Sequence, residues 1–133
     1  MLDKANWIWL DSNEYPDMDK SAISMFDKEN FDYKYIVAEF KKQKEYNKKI
    51  KCIEIEISAD VRFWLYVNGE FQGVGPVCAG GDYGSCMPMP YTYYNTYNLE
   101  LDLDKLDLYV MVQNKPTVQC DMSQGKCGLI MAC

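Results

Sequence analysis

The sequence predicts an all-β fold, an antiparallel β-sandwich, and three features predict it. Ile53, Ile55 and Ile57 alternate with Cys52, Glu54 and Glu56, the period of a strand with one core face and one wet face. Asn68-Gly69 separates the strand-like runs 61–67 and 70–74, and Asn-Gly supplies the positive φ angles of a type I′ hairpin turn. Aromatic residues make up 14% of the chain, with eleven Tyr, and such side chains favour half-buried pleated surfaces.

A chain of 133 residues suits one core, so residues 1–133 are read as a single domain. Twenty acidic residues against fourteen basic ones give a formal charge of −6, which repels phosphate backbones and argues against a nucleic-acid partner. The densest basic run, 41–51, holds six Lys but also Glu45, with Tyr46 as its one aromatic residue. It reads as a solvated loop or strand edge. No window approaches the ~18 consecutive apolar residues of a membrane span.

Cysteines stand at 52, 78, 86, 120, 127 and 133. Their gaps lack the short C-x₂₋₄-C pairs of zinc sites, and the chain has no His, so no metal and no cofactor are expected. Without a signal peptide ahead of them they read as reduced thiols of a cytoplasmic protein, Cys52 and Cys133 being ordinary strand residues.

In chain order, Trp7-Ile8-Trp9 is a short strand signal, and 11–34 is a long polar loop in which 21–26 can form a helical turn. Residues 35–40 make a strand that ends in the Lys-rich segment, with a turn near Asn47 before the next strand begins at Ile50. Ser58-Ala59-Asp60 breaks the alternation. Residues 61–67 then carry Phe63, Leu65 and Val67 on one side and Trp64 and Tyr66 on the other, and that second pair reads as core packing, with exposure for docking as the alternative. The Gly- and Pro-rich stretch 75–90 is a surface loop. Residues 91–99 fit an exposed or edge strand, Leu99, Leu101 and Leu103 alternate into a turn at Asp104-Lys105, and 107–113 is a further strand. A polar stretch follows, and the chain ends on the apolar run 128–133, which reads as a piece of a larger polypeptide. Seven or eight short strands are expected.

Trp7-Ile8-Trp9, Ile57-Ser58-Ala59-Asp60, Leu65-Tyr66-Val67-Asn68-Gly69-Glu70, Gly75-Pro76, Tyr94-Asn95-Thr96-Tyr97-Asn98 and Gly128-Leu129 resemble, in that order and over nearly the whole chain, the N-terminal β-sandwich of bacterial α-L-rhamnosidases, glycoside hydrolases of family 78. The resemblance implies a galactose-binding-like jelly roll that packs beside an (α/α)₆ barrel, with the catalytic acids in that barrel. It makes the catalytic domain of the same polypeptide the expected partner and this domain alone inactive. Asn95 and Asn98 stand where the family usually shows Asp, which weakens any calcium or charged-sugar contact carried over to them.

Glycoside hydrolysis needs two carboxyl groups about 5–10 Å apart, one with a raised pKa. Glu54 and Glu56 stand two apart on one wet strand face, about 7 Å by strand geometry, a coincidence that any alternating strand produces. Acyl transfer lacks its usual base without His, so no catalytic residue is assigned. Pyranose faces stack on aromatic rings while polar side chains satisfy hydroxyls, which makes Asp82, Tyr83, Tyr91, Tyr93 and Tyr94 the candidates for carbohydrate binding or interdomain contact. A non-catalytic accessory domain is the leading expectation, and an autonomous carbohydrate-binding module for rhamnose-containing glycans the alternative.

Overall fold

The computed structural model describes residues 1–10, 36–76, 81–82, 87–88, 93–114 and 128–133. Its strands are β1 (Ile36–Ala59), β2 (Arg62–Val67), β3 (Glu70–Gly75), β4 (Gly81–Asp82), β5 (Met87–Pro88), β6 (Asn95–Asn114) and β7 (Leu129–Ala132). Among the described residues the remaining regular element is a 3₁₀ turn at Leu2–Lys4. Five strands form one antiparallel sheet in the order β3-β2-β6-β1-β7, and β4 and β5 form a small separate ladder. Among the described residues the fold is all-β and antiparallel.

Two strands are far longer than the sequence suggests. The turns expected near Asn47 and at Asp104-Lys105 are instead continuous strand, so β1 runs for 24 residues and β6 for 20. Both break signals fall at one place in the β1–β6 ribbon, where the register shifts between Glu45 and Ile50 and again between Ile50 and Cys52. Extra residues in an antiparallel pair bend the ribbon and raise its twist. Turn-like chemistry thus makes a bend within paired strands, and the Lys-rich run lies along it.

The bend folds the ribbon back on itself. Ile57 of β1 pairs with Asn95, whereas Arg62 of β2 pairs with Gln113 at the other end of β6. Along a straight strand Asn95 and Gln113 would be about 60 Å apart, yet the link from Ile57 to Arg62 spans at most ~18 Å. The two halves of the ribbon therefore face each other as two layers. The first comprises β3, β2, the second half of β6 and the first half of β1; the second comprises the first half of β6, the second half of β1 and β7.

One core lies between them. Phe63, Leu65, Val67, Leu106, Leu108, Val110 and Val112 meet Ile55, Ile57, Ala59 and Leu129 in a single buried cluster. In β6 the inward side chains are even-numbered from Leu106 to Val112 but odd-numbered at Tyr97, Leu99 and Leu101, so the bend switches which parity faces inward. Trp9 packs on Phe40 across the open side of the layers, their ring centroids 6.2 Å apart.

The Asn68-Gly69 hairpin forms as expected, with φ of 51° and 82° at its two central residues. Ile53, Ile55 and Ile57 face the core or its margin while Cys52 and Glu54 face solvent. At the N-terminus only Ile8 bridges, to Leu129, through reciprocal backbone bonds of 2.8 and 3.0 Å. The 75–90 stretch is not all loop: Gly81 pairs with Pro88 and Asp82 with Met87. The helical turn expected within 21–26 lies outside the described residues.

Candidate functional site

Of the five residues singled out by sequence, Tyr83 and Tyr91 lie outside the described residues, and Asp82 is placed by its backbone in β4. Tyr93 and Tyr94 are exposed just before β6 begins. There Ser58 Oγ donates a 2.6 Å hydrogen bond to the Tyr93 carbonyl, which ties this segment to the second layer. The first half of β6, to which it leads, pairs with β1 alone among the described strands, so it forms an edge of that layer.

A second group of aromatic residues lies on the outer face of the first layer. Trp64 and Tyr66 are not packed into the core. They alternate with Phe63, Leu65 and Val67, which fill it, and so project outwards half-buried. The register then builds rows across the strands: Val74, Trp64, Met111 and Glu39 in one, Phe71, Tyr66, Tyr109 and Lys41 in the next. Tyr66 stands between Phe71 and Tyr109 with both centroid distances at 5.4 Å and interplanar angles of 56° and 39°, within the range of favourable tilted ring pairs. Phe71 remains 57% exposed.

Polar side chains frame these rings. Lys41 Nζ sits 5.0 Å from the Tyr109 ring centroid and 3.2 Å from Glu39 Oε2. The Tyr109 hydroxyl donates to Glu39 Oε1 at 2.9 Å. This bond, and after it Lys41, holds the Glu39 carboxyl below its ordinary range, and the same bond raises the Tyr109 phenol. Gln43 Nε2 donates to Asp107 Oδ2 at 2.8 Å. Between the rings and this pair an open cleft of about 780 Å³ is lined by Lys41, Gln43, Tyr66, Gly69, Asp107 and Tyr109. A β-carbon on Gly69 would meet nothing within 4 Å, so the turn leaves the space beside it open.

Elsewhere a smaller apolar slot of about 270 Å³ runs between the layers beside Ile8, Phe40, Leu108, Val110, Leu129 and Met131. On the second layer's outer face, Glu56 accepts from the Met1 amino group and from the Leu2 N–H, both at 2.8 Å. These bonds lower its pKa, the opposite of what a glycosidase general acid requires. Among the described residues no group of three or more Cys, Asp or Glu is placed to hold a metal ion, and no helix is long and apolar enough to cross a membrane.

Comparison with family models, with curated proteins and with solved structures finds no match. Alternation pairs Trp64 with Tyr66, and by the same period Tyr109 and Met111 oppose Leu108 and Val110. Their meeting with Phe71, Lys41 and Gln43 depends on strand register, which no local pattern states.

Proposed function

We propose that this chain is a non-catalytic accessory module of an α-L-rhamnosidase-like glycoside hydrolase, a galactose-binding-like jelly roll that packs on an (α/α)₆ catalytic barrel. The order of motifs from Trp7-Ile8-Trp9 to Gly128-Leu129 supports the parentage. The observation that carries the role is the ring row Phe71, Tyr66 and Tyr109 on an outer sheet face. Rings there give contact area at low conformational cost, and aromatic residues are enriched where protein surfaces meet.

The test is activity against size. The native gene product should be longer than this chain and hydrolyse an aryl α-L-rhamnoside, while the chain alone should not. A native product of this length, or turnover by the isolated chain, overturns the proposal.

A second reading, an autonomous carbohydrate-binding module for rhamnose-containing glycans, is favoured by the cleft beside Tyr66 and Tyr109, because hydrogen-bonding side chains line it together with rings. Titration of the chain with rhamnose-containing oligosaccharides, followed by Tyr and Trp fluorescence, tests it: saturable change supports it, and a flat response opposes it.

A further inference from the structure

We infer that the cleft lined by Lys41, Gln43, Tyr66, Gly69, Asp107 and Tyr109 is a binding site for an uncharged pyranoside, an inference that rests on the carbohydrate-binding reading and gives it a location and a ligand class. A pyranose ring has an apolar C–H face and a rim of hydroxyls. It is satisfied by an aromatic wall next to groups that both donate and accept hydrogen bonds. Here Tyr66 and Tyr109 supply the wall, their centroids 5.4 Å apart, and the Gln43–Asp107 pair supplies an amide and a carboxylate already held together at 2.8 Å. That pairing reduces the side-chain freedom lost on binding.

The size and the charges select the ligand. A cleft of about 780 Å³ lies within the usual range of small-molecule sites, ~300–1,000 Å³. Lys41 is the cation at its edge, and Glu39 already engages it at 3.2 Å. Asp107 contributes a carboxylate, so the surroundings hold no surplus positive charge for a phosphate ester or a uronate. The formal charge of −6 on the whole chain acts in the same direction.

Lys41 also spans the Tyr109 ring, at 5.0 Å from its centroid, and Tyr109 is anchored through its hydroxyl to Glu39. Tyr109 is therefore held in place, and Tyr66 beside it is the ring left to stack. Phe71 flanks Tyr66 on the other side and extends the apolar surface towards a second sugar unit.

The experiment uses the full chain with methyl pyranosides and their disaccharides at millimolar concentration, observed by saturation-transfer NMR, with galacturonate and a sugar phosphate as charged probes. Neutral sugars should bind saturably and the charged ones more weakly. Tyr66→Ala should weaken binding by about tenfold, the loss expected for one stacked ring. Gln43→Ala, at an exposed position that cannot compromise the core, should also weaken it, and unfolding midpoints show that each variant is folded. If sugar binds but Tyr94→Ala abolishes binding while Tyr66→Ala and Gln43→Ala do not, the location is wrong and the carbohydrate-binding reading survives. Preference for the charged probes overturns the ligand class. No response to any sugar, with self-association that Phe71→Ser abolishes, overturns both and makes the face a contact between copies.

Discussion

Asn68 clasps the backbone of Asp107 from both sides: its N–H donates to the Asp107 carbonyl, and its Oδ1 accepts from the Asp107 N–H, each at 2.8 Å. The hairpin turn is thereby fastened to β6, the strand next to its own. Asn68 also holds a φ of 51°, where most side chains are strained. Asn68→Gly should keep the turn and lose the Oδ1 bond, costing about 1 kcal/mol. Asn68→Ala should lose both, costing about 2–3 kcal/mol. Urea midpoints of the two variants check the ranking, and equal stability would show that backbone strain is not part of the role.

The two layers approach closely enough to require glycine in β3. A β-carbon on Gly73 would stand 2.6 Å from the Tyr97 hydroxyl oxygen of the second layer, and one on Gly75 would meet Asn95 Oδ1 of that layer and stand 2.8 Å from the Phe63 ring of its own. Gly73→Ala should destabilise the chain by about 1–3 kcal/mol, and Gly75→Ala, against a fully buried ring, by as much or more. Gly73→Ala combined with Tyr97→Phe, which removes the obstructing oxygen, should recover part of the loss. Thermal unfolding of the parent chain, Gly73→Ala, Tyr97→Phe and the double variant measures it, and strict additivity would mean that the two side chains do not meet.

Stability should fall at both ends of the pH range. Glu39 is held below its ordinary pKa first by the Tyr109 hydroxyl, Glu56 by the Met1 amino group and Asp102 by Lys51 and then Lys49. A carboxyl lowered in the folded state stabilises it above the unfolded pKa, about 4, and loses that contribution as pH falls through the folded value. The Met1 amino group is raised, first by Glu56, so its contribution is complete below its unfolded pKa, about 8, and is lost as pH rises through the folded value. Urea midpoints should therefore be highest near pH 5–7. Glu56→Gln should flatten both limbs, each modestly because these groups face solvent. An unchanged alkaline limb would show that the Met1–Glu56 pair does not form.

Cys52 and Cys133 are free and exposed. Both should react with a water-soluble thiol reagent in the folded protein, as found by mass spectrometry of the labelled peptides before and after denaturation. Protection of either one until unfolding would contradict its place at the surface.

Much of the core was legible from alternation alone. Ile55 and Ile57 read as inward by their period of two and are buried, and Phe63, Leu65 and Val67, which the same period sets on one side of β2, are buried with them. The hairpin was legible too, because Asn-Gly is nearly alone in accepting two positive φ angles at low cost. The middle of the ribbon was not. Asn47 and Asp104-Lys105 carry the chemistry of turns, and a bulged bend within paired strands uses the same residues as a loop that ends them. Tyr93 and Tyr94 stand in a Tyr-rich run that the sequence marks, whereas Tyr109 and Phe71 are each one aromatic residue in an ordinary strand, which it does not.

What sequence alone determined is strand content, the alternation of side chains along each strand, and the Asn68-Gly69 hairpin, because side-chain period and dihedral preference are properties of neighbouring residues. What the tertiary structure decided is that a single ribbon doubles back into two layers, and that Phe71, Tyr66, Tyr109, Lys41 and Gln43 share one outer surface. Those residues come from four strands, and the register that aligns them is set by burying the opposite face of each strand.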